Sequence, residues 1–480
     1  MTKKFFSLII ISTLFFTLIS NALLPLTVFA LSTESEGIIV FDLNTENDIY
    51  SKNANEKLYP ASITKIMTCI LTLENCDLDE IITVDKNTPY EIYGSNIALE
   101  PYEEISVKDL LYGLMLPSAN DAASVLAKHI SGSIEDFADL MNEKANELGM
   151  TNTHYVNPHG LHDKNHYTTA NDMKQLVIYA MKNSTFREIV STSHYTIQST
   201  NKKEERKLIT TNNLLYNTSP HKIIVNGKYI GRQYEGCLGI KNGYTDYARN
   251  TLVSYVKRGD LDLISIVMKG SGTQVYTDTH NLFDYGFKNF YKQNIIADNI
   301  YVTDLELTDV NGKKQMIPLV TKNSVAIIHS QKDSEILEQN ILINDISFPV
   351  SKGDVVGKLI YKKDGKVIAS TDIISTASIE KASNVKTGNK SSTISINEKT
   401  VTITKENNNI ENNAKQSTKD ITFKIIRIVI IAFIIIFAIL LMIRNYNIQK
   451  RRKRKAALRK AKRQKYYDDL RKNNNQDKWI

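Results

Sequence analysis

An apolar segment near each end of this 480-residue chain restricts where the residues between them can fold. Lys3 and Lys4 precede an apolar run from Phe5 to Ala30, and Val28 and Ala30 occupy the −3 and −1 positions of a signal-peptidase cleavage site. This arrangement predicts a secretory signal peptide over residues 1–30, with a retained membrane anchor as the alternative. We therefore expect the chain to be exported.

The second apolar segment, Ile425 to Ile443, is long enough to span a bilayer and predicts a transmembrane helix over residues 422–443. The tail behind it, residues 444–480, holds 15 Lys and Arg against 3 Asp and Glu, a net charge of +12 in a chain whose net charge is +8. A basic run beside an apolar span is typical of the cytoplasmic side of a membrane, while nucleic-acid binding by the tail is the alternative. We expect a single-pass protein of the cell membrane with a cytoplasmic tail, no nucleic-acid partner, and its remaining domains outside the cytoplasm.

The residues between these segments divide by composition into two folded domains and a linker. A chain with 42% hydrophobic residues can bury two cores. We predict a large domain over residues 36–290 and a small all-β domain over residues 295–379. A disordered linker is predicted over residues 383–420, where Asn, Ser, Thr and Lys dominate. Only three cysteines occur, so we expect no disulfide framework and interpret all three as small hydrophobic residues.

Apolar periodicity predicts the main elements of the large domain. Gly37 to Asp42 and the returning Ile49-Tyr50 form a predicted hairpin, and residues 239–267 read as an antiparallel meander. Helical spacing covers Val107 to Leu116, Ala122 to Ile130 and Phe137 to Leu148.

The stretch from Tyr59 to Thr68 places Ser62 at a predicted helix start and Lys65 one turn further on. Residues three apart in a helix lie side by side, so Lys65 can contact Ser62. A serine hydroxyl is a poor nucleophile at neutral pH, and a desolvated amine near other cations can lose its proton and act as its base. Ser62 is therefore a candidate nucleophile, although a motif of two residues also arises by chance about once or twice in a chain of this length.

A break between two predicted helices exposes Ser118 and Asn120, which can face a cleft as a proton relay and as an amide that holds a peptide. Helix capping is the alternative interpretation of both. His159 lies in a loop that lacks a carboxylate or cysteine set at metal-ligand spacing. We therefore expect a hydrogen-bonded structural histidine there and no metal site.

Gly243 lies on a predicted strand, where a missing side chain lets another backbone or a ligand come close. Lys241 places a cation beside that gap. The pair predicts a site that attracts a substrate carboxylate.

Ser62-x-x-Lys65, Ser118-x-Asn120 and Lys241-x-Gly243 resemble, in this order, the three motifs of penicillin-binding proteins and active-serine β-lactamases. The match narrows to the D-alanyl-D-alanine carboxypeptidases, the low-molecular-mass penicillin-binding proteins, through Tyr59 to Thr68, Pro117 to Ala122, His159-Gly160-Leu161 and Gly239 to Asp246. This resemblance covers about Glu36 to Phe290, and the β domain is similar to the one that usually follows in that family. It implies an α+β fold, with a β-lactamase/transpeptidase-like catalytic domain built from an antiparallel sheet and helices.

The resemblance implies a serine carboxypeptidase that removes the terminal D-Ala from peptidoglycan stem peptides without a cofactor or metal. β-Lactam antibiotics would act as inhibitors. In this family pattern Ser62 is the nucleophile, Lys65 is its base, and Ser118 carries the proton to the leaving amine.

The substrate-binding residues implied by the resemblance are Asn120, Lys241, Asn242, Gly243 and Tyr244. Asn120 holds the peptide and Lys241 orients the terminal carboxylate. The backbone N–H groups of Ser62 and Tyr244 form the oxyanion hole.

Two positions depart from the family pattern. Asn242 replaces the threonine of the usual Lys-Thr-Gly, and Val275 stands where an arginine is common. An intact Lys386-Thr387-Gly388 falls in the predicted linker, and we interpret it as chance. Both departures concern carboxylate recognition, so a catalytically weak penicillin- or peptidoglycan-binding protein is one alternative. A membrane-bound β-lactamase is the other, and it would need a carboxylate positioned to activate water.

Overall fold

The computed structural model describes residues 31–308, 313–330, 335–344, 346, 349–379, 394–403, 444, 448–465 and 468. The predicted signal peptide (1–30) and the predicted transmembrane helix (422–443) lie outside these residues. Within the described ranges, no helix is both long enough and apolar enough to cross a membrane. In the basic tail, residues 448–465 form a helix whose side chains are almost all exposed.

The large domain combines one main sheet with helices and short two-stranded sheets. Its strands are β1 (Gly37–Asp42), β2 (Asp48–Lys52), β3 (Ile81–Thr83), β4 (Glu104–Ser106), β5 (His194–Ile197), β6 (Arg206–Ile209), β7 (Ile223–Val225), β8 (Lys228–Ile230), β9 (Cys237–Thr245), β10 (Arg249–Arg258) and β11 (Leu261–Gly270). Its helices are α1 (Lys65–Asn75), α2 (Thr88–Glu91), α3 (Val107–Met115), α4 (Asn120–Ser131), α5 (Ile134–Glu147), α6 (Ala170–Ala180), α7 (Ser184–Ser191) and α8 (Gln274–Asn289). The 3-10 turn Ala61–Thr64 runs directly into α1. The three helices predicted from apolar spacing are confirmed as α3, α4 and α5.

Five antiparallel strands form the main sheet in the order β2-β1-β11-β10-β9. The predicted hairpin is β1 with β2, and the predicted meander is β9, β10 and β11. Since β9 is an edge strand, one side of its backbone remains free to meet other parts of the domain. That free edge lies against the 3-10 turn before α1.

Strand β1 shows how the sheet separates two cores. All six of its residues are buried, and successive side chains of a strand point to opposite faces. Ile39 and Phe41 join the larger core, together with residues of α1, α3, α4, α5 and α6. Ile38 and Val40 join a second core that contains residues of α8. Helices therefore cover both faces of the main sheet.

The residues after α8 form the predicted all-β domain. β12 (Phe290–Ile296) pairs with β15 (Val325–Ser330), and the other strands form one sheet in the order β13-β14-β18-β17-β16-β19. These are β13 (Tyr301–Thr308), β14 (Lys314–Thr321), β16 (Glu335–Ile343), β17 (Val355–Lys363), β18 (Lys366–Ser375) and β19 (Ile394–Ile403). A turn at Asp364-Gly365 joins β17 to β18.

Strand β19 corrects the middle part of the predicted disordered linker. Ile394–Ile403 falls within residues 383–420, yet it pairs antiparallel with β16. The composition of this segment excludes a core of its own, but an added edge strand needs only backbone partners, which β16 supplies. Its isoleucine, threonine and valine residues favour extended backbone.

The three cysteines are free thiols. Cys69 and Cys237 are buried, one in each core, and Cys76 is half-buried at the end of α1. Burial raises the pKa of the Cys69 thiol far above its usual value and that of Cys237 to about 12. Burial, followed by the charges of Glu80 and Asp77, raises the pKa of Cys76 to about 11. These thiols stay protonated at neutral pH and are therefore weak nucleophiles.

Candidate active site

The turn that carries Ser62 is held between strand β9 and the loop over residues 154–168. A β-carbon on Gly243 would lie 2.6 Å from the backbone nitrogen of Ser62, and one on Gly160 would clash with the carbonyl of Ala61. Gly160 also has a φ of +83°, which favours glycine. From β10, Thr251 Oγ1 donates to Pro60 O at 3.0 Å. Close backbone approach from two sides therefore fixes the position of Ser62.

Lys65 is fully buried at the start of α1 and reaches back to Ser62. Its Nζ lies 2.7 Å from Asn120 Oδ1, 2.7 Å from His159 O and 3.1 Å from Ser62 Oγ. The contact predicted from the Ser-x-x-Lys spacing is present.

The contacts of Lys65 suit a neutral amine. Burial lowers the pKa of Lys65 well below its usual value, and the positive charge of Lys241 lowers it further, while the charge of Asp121 raises it. A neutral amine has two N–H donors and one lone pair. The two carbonyl oxygens can only accept, so they take the two N–H groups and leave the lone pair for the Ser62 hydroxyl. This geometry allows Lys65 to remove the proton from Ser62 Oγ.

Ser118 and Asn120 lie where α3 ends and α4 begins. Asn120 is buried, and its Nδ2 donates to Tyr93 O at 2.8 Å while its Oδ1 accepts from Lys65. The structure therefore gives Asn120 a part in orienting Lys65 in addition to its predicted contact with a peptide. Ser118 has a φ of +68°, and its buried Oγ has no hydrogen-bond partner within the described part of the chain. An unpaired buried hydroxyl at this position is available to a reacting group.

Lys241, Asn242, Gly243 and Tyr244 follow one another on β9. Lys241 is buried, its Nζ donates to Asn242 O at 3.0 Å, and burial lowers its pKa to about 7. The Asn242 side chain is half-buried, and its Oδ1 accepts from Thr211 Oγ1 at 3.0 Å. Tyr244 is exposed, and its hydroxyl donates to Asp246. Of the predicted site residues, Lys65 contacts Ser62, Asn120 contacts Lys65, and Gly243 lies against the Ser62 nitrogen. The other four, Ser118, Lys241, Asn242 and Tyr244, lie within two residues of these in sequence.

The loop over residues 154–168 contributes more than its sequence indicated. His159 is buried and its backbone carbonyl binds Lys65, while His166 Nε2 lies 2.9 Å from Thr64 Oγ1. Burial lowers the pKa of both histidines to about 3; the charge of Lys65 lowers that of His159 further, whereas the charge of Asp163 opposes the shift at His166. Both rings are therefore neutral. His159 is hydrogen-bonded as predicted, since its Nδ1 accepts from the backbone of Leu161.

Two further residues contact the site and were missed from the sequence, and the position of Val275 is also defined. Asp121 is buried beside Asn120, and its carboxylate accepts from the backbone N–H groups of Ile97 and Leu99. Thr211 contacts Asn242 from a loop distant in sequence, and no local motif marks it. Val275 is buried in the second core at the start of α8, so it presents no side chain for a substrate.

Within the described residues, Cys76, Glu80 and His129 are the group whose spacing suits a metal ion. They lie around the far end of α1 from Lys65, and His129 Nε2 is 2.8 Å from Glu80 Oε1, which is a hydrogen-bonded pair. We assign them no part in the site around Ser62.

Comparison with known families gives a match for each domain. Residues 25–272, just over half of the chain, match the model described as D-alanyl-D-alanine carboxypeptidase. Residues 290–381 match the C-terminal domain of penicillin-binding protein 5.

Individual relatives extend over both domains. D-alanyl-D-alanine carboxypeptidase DacF of Bacillus subtilis is 33% identical over 361 residues, which cover 73% of this chain and 87% of the relative. D-alanyl-D-alanine carboxypeptidase DacC of Escherichia coli is 29% identical over 370 residues, which cover 74% of this chain and 86% of the relative. The crystal structure of penicillin-binding protein 5 from Haemophilus influenzae is 25% identical, with a TM-score of 0.59, and covers 74% of this chain and 100% of that structure.

Replacing the buried Lys241 should stabilise the protein. The wild-type amine has a pKa of about 7 in the folded protein, compared with 10.5 for an ordinary lysine in water. Between these values the unfolded chain binds a proton that the folded chain lacks, so the free energy of unfolding of the wild type rises with pH. Methionine has no charge to desolvate, and we expect Lys241→Met to raise that free energy by roughly 1–4 kcal/mol below pH 7.

This gain should shrink as the pH rises from about 7 towards 10.5, because the wild-type amine is then increasingly neutral in the unfolded state as well. Urea unfolding at an acidic and an alkaline pH measures it. Lys358→Met, at an exposed lysine on β17, is the matched control and should show no such gain. A Lys241→Met variant that is less stable than wild type at both pH values would contradict the argument.

Proposed function

This chain belongs to the D-alanyl-D-alanine carboxypeptidase family of serine peptidases, and from that premise we propose that Ser62 is the residue acylated during catalysis. The protein is a serine-type D-Ala-D-Ala carboxypeptidase that takes a peptide substrate and binds penicillin. The proposed substrate is the stem peptide of peptidoglycan, from which the enzyme removes the terminal D-Ala. One observation carries the assignment of Ser62: the buried Lys65 amine lies 3.1 Å from its hydroxyl and donates to two carbonyl oxygens.

The proposed acylation begins when Lys65 takes the proton of the Ser62 hydroxyl. Ser62 Oγ then attacks the carbonyl carbon of the penultimate D-Ala, and the carbonyl oxygen becomes an oxyanion. The backbone N–H groups of Ser62 and Tyr244 are the proposed donors to it. When the peptide bond breaks, Lys65 returns that proton, which passes through the unpaired hydroxyl of Ser118 to the departing D-Ala amine. Lys65, neutral again, then takes a proton from the water that attacks the ester and returns it to Ser62 Oγ as the acid product leaves.

Recognition of the substrate is proposed for residues on opposite sides of Ser62. Asn120 has a second amide N–H beyond the one that it donates to Tyr93, and this can hold the peptide backbone. On β9, Lys241 and Asn242 would bind the terminal carboxylate. Gly243 keeps the space beside the Ser62 nitrogen open.

Two alternatives were left open, a weak enzyme and a β-lactamase. The weak-enzyme hypothesis rests on Asn242 and on Val275, which is a buried core residue and supplies no cation for a carboxylate. A β-lactamase would need a carboxylate that activates water near the acyl group. In the described part of the chain, neither Ser62 nor Lys65 bonds to a carboxylate, and the nearby Asp121 already accepts from backbone N–H groups.

We also propose that the enzyme is anchored in the cell membrane. The proposed organisation is a signal peptide over residues 1–30, the catalytic domain over 36–290, the β domain over 295–379 and a linker within 383–420. A transmembrane helix over 422–443 and a cytoplasmic tail over 444–480 would follow, and the apolar run with the basic residues behind it supports this orientation. The catalytic domain would then face the cell wall.

Ser62→Ala should abolish both penicillin acylation and D-Ala release. The stability of the variant should change by less than about 1 kcal/mol, because the lost hydroxyl makes one hydrogen bond. Intact-mass analysis after exposure to benzylpenicillin measures the adduct, and a stem-peptide analogue measures release. Ser51→Ala, at an exposed serine on β2, is the control and should react as wild type does. An adduct that still forms on Ser62→Ala would show that another residue is the nucleophile.

Gly243→Ala should slow acylation by about 100-fold or more, since the new methyl group would crowd the Ser62 N–H that is proposed to bind the oxyanion. The rate of benzylpenicillin acylation measures this effect. Gly231→Ala adds the same methyl group at an exposed position, where its nearest neighbour is a side-chain atom of Asn217, and should leave the rate unchanged. Equal rates for Gly243→Ala and wild type would remove Ser62 N–H from the mechanism.

Truncation after Asp420 should release the enzyme from the membrane fraction, because the proposed span is removed. Activity on a small peptide should stay within about twofold, since both folded domains remain. Fractionation of cells that express each form, followed by a peptide assay, tests this. Recovery of the full-length protein in the soluble fraction would contradict the anchor.

A further inference from the structure

We propose that Thr211 is a positioning residue that turns the amide group of Asn242 towards the terminal carboxylate of the substrate. This inference rests on the proposed function and adds a residue that no motif identifies. Thr211 and Asn242 are 31 positions apart in sequence, yet their side chains meet beside the Ser62 turn.

The backbone fixes the hydroxyl of Thr211. The N–H of Thr211 donates to Leu116 O at 3.0 Å, and Leu116 directly follows α3, two residues before Ser118. The preceding residue, Thr210, donates its own N–H to Ser193 O at 2.9 Å. Thr211 is thus held by the segment that also carries Ser118.

Hydrogen-bond geometry favours donation from Thr211 to Asn242. The Thr211 hydroxyl is 3.0 Å from Asn242 Oδ1 and 3.2 Å from Leu116 O. The carbonyl of Leu116 already accepts the shorter bond from the Thr211 N–H. The single hydroxyl proton therefore goes to Asn242, which fixes the acceptor end of that amide towards Thr211.

The orientation matters because the two ends of an asparagine amide have opposite roles. With Oδ1 bound to Thr211, Nδ2 has no protein partner among the described residues and can donate to an anion. If the amide were reversed, Oδ1 would face the carboxylate, and two acceptors would repel each other. A threonine at position 242 would need no such help, because its hydroxyl can rotate to donate.

Substrates with and without the terminal carboxylate provide the test. The acid is a stem-peptide analogue that ends in D-Ala-D-Ala, and its neutral counterpart is the same peptide with a C-terminal amide. We expect Thr211→Val to lower kcat/KM for the acid by about tenfold or more and to leave kcat/KM for the amide within about twofold. Thr211→Ser keeps the hydroxyl and should retain the wild-type preference for the acid.

Asn242→Thr, with and without Thr211→Val, distinguishes a positioning role of Thr211 from a general loss of activity caused by a disturbed fold. In an Asn242→Thr background, Thr211→Val should leave the preference for the acid unchanged, because there is no amide to orient. A Thr211→Val variant that loses equal activity on both peptides, or none on either, would overturn the inference. The inference would also be overturned if Thr211→Val lowered the preference for the acid as much in the Asn242→Thr background as it does in the wild type.

Failure of the proposed function would be seen separately, in the wild type. If the wild type forms a benzylpenicillin adduct without releasing D-Ala, the proposed peptide reaction is wrong. The same comparison is then made between benzylpenicillin and its methyl ester, again with and without the carboxylate. If the wild type reacts with none of these compounds, both the proposed function and the role of Thr211 are excluded.

Discussion

The close approach of two backbone segments to the Ala61–Thr64 turn is the constraint on which the site depends. Gly243 brings the edge of the main sheet against the Ser62 nitrogen, and Gly160 brings the 154–168 loop against the carbonyl of Ala61. Any side chain at either position would push these segments apart. Lys65 would then lose the carbonyl of His159, and Ser62 would lose its place beside the strand. The absence of a side chain at Gly243 and at Gly160 thus sets the distances between the Ser62 turn, strand β9 and the 154–168 loop.

The same packing explains how two buried lysines serve one site. Removing an amine from water disfavours its charged form, and a second amine nearby disfavours it further. Burial of Lys65 and Lys241 therefore lowers the stability of the folded protein. The same burial keeps the Lys65 amine neutral, although no strong base lies beside it to take its proton. Asp121 limits this effect, because its buried charge favours the protonated form of Lys65. The balance between these groups is a property of the folded site and is absent from the isolated Ser-x-x-Lys motif.

Local sequence predicted the parts of the fold that depend on short-range patterns. The β1–β2 hairpin, the β9–β11 meander and helices α3 to α5 follow from apolar periodicity, and the contact between Ser62 and Lys65 follows from helical spacing. The contacts of Asn120 and of the His159 carbonyl with Lys65, and that of the Thr211 hydroxyl with Asn242, join residues that meet only after folding, so no local pattern reveals them. Strand β19 was missed for a related reason: its partner strand lies about 60 residues earlier, and composition alone suggested no structure.

The three free thiols have a consequence for how the protein matures. Cys69 lies within α1 and Cys76 directly after its end, about two turns apart and too far to bridge, and Cys237 donates to the carbonyl of Gly239 inside the other core. Because the folded state uses no cross-link, it is the same under oxidising and reducing conditions. Folding therefore requires no disulfide-forming catalyst, on whichever side of a membrane it takes place, and a change in redox poise breaks no cross-link in the folded domains.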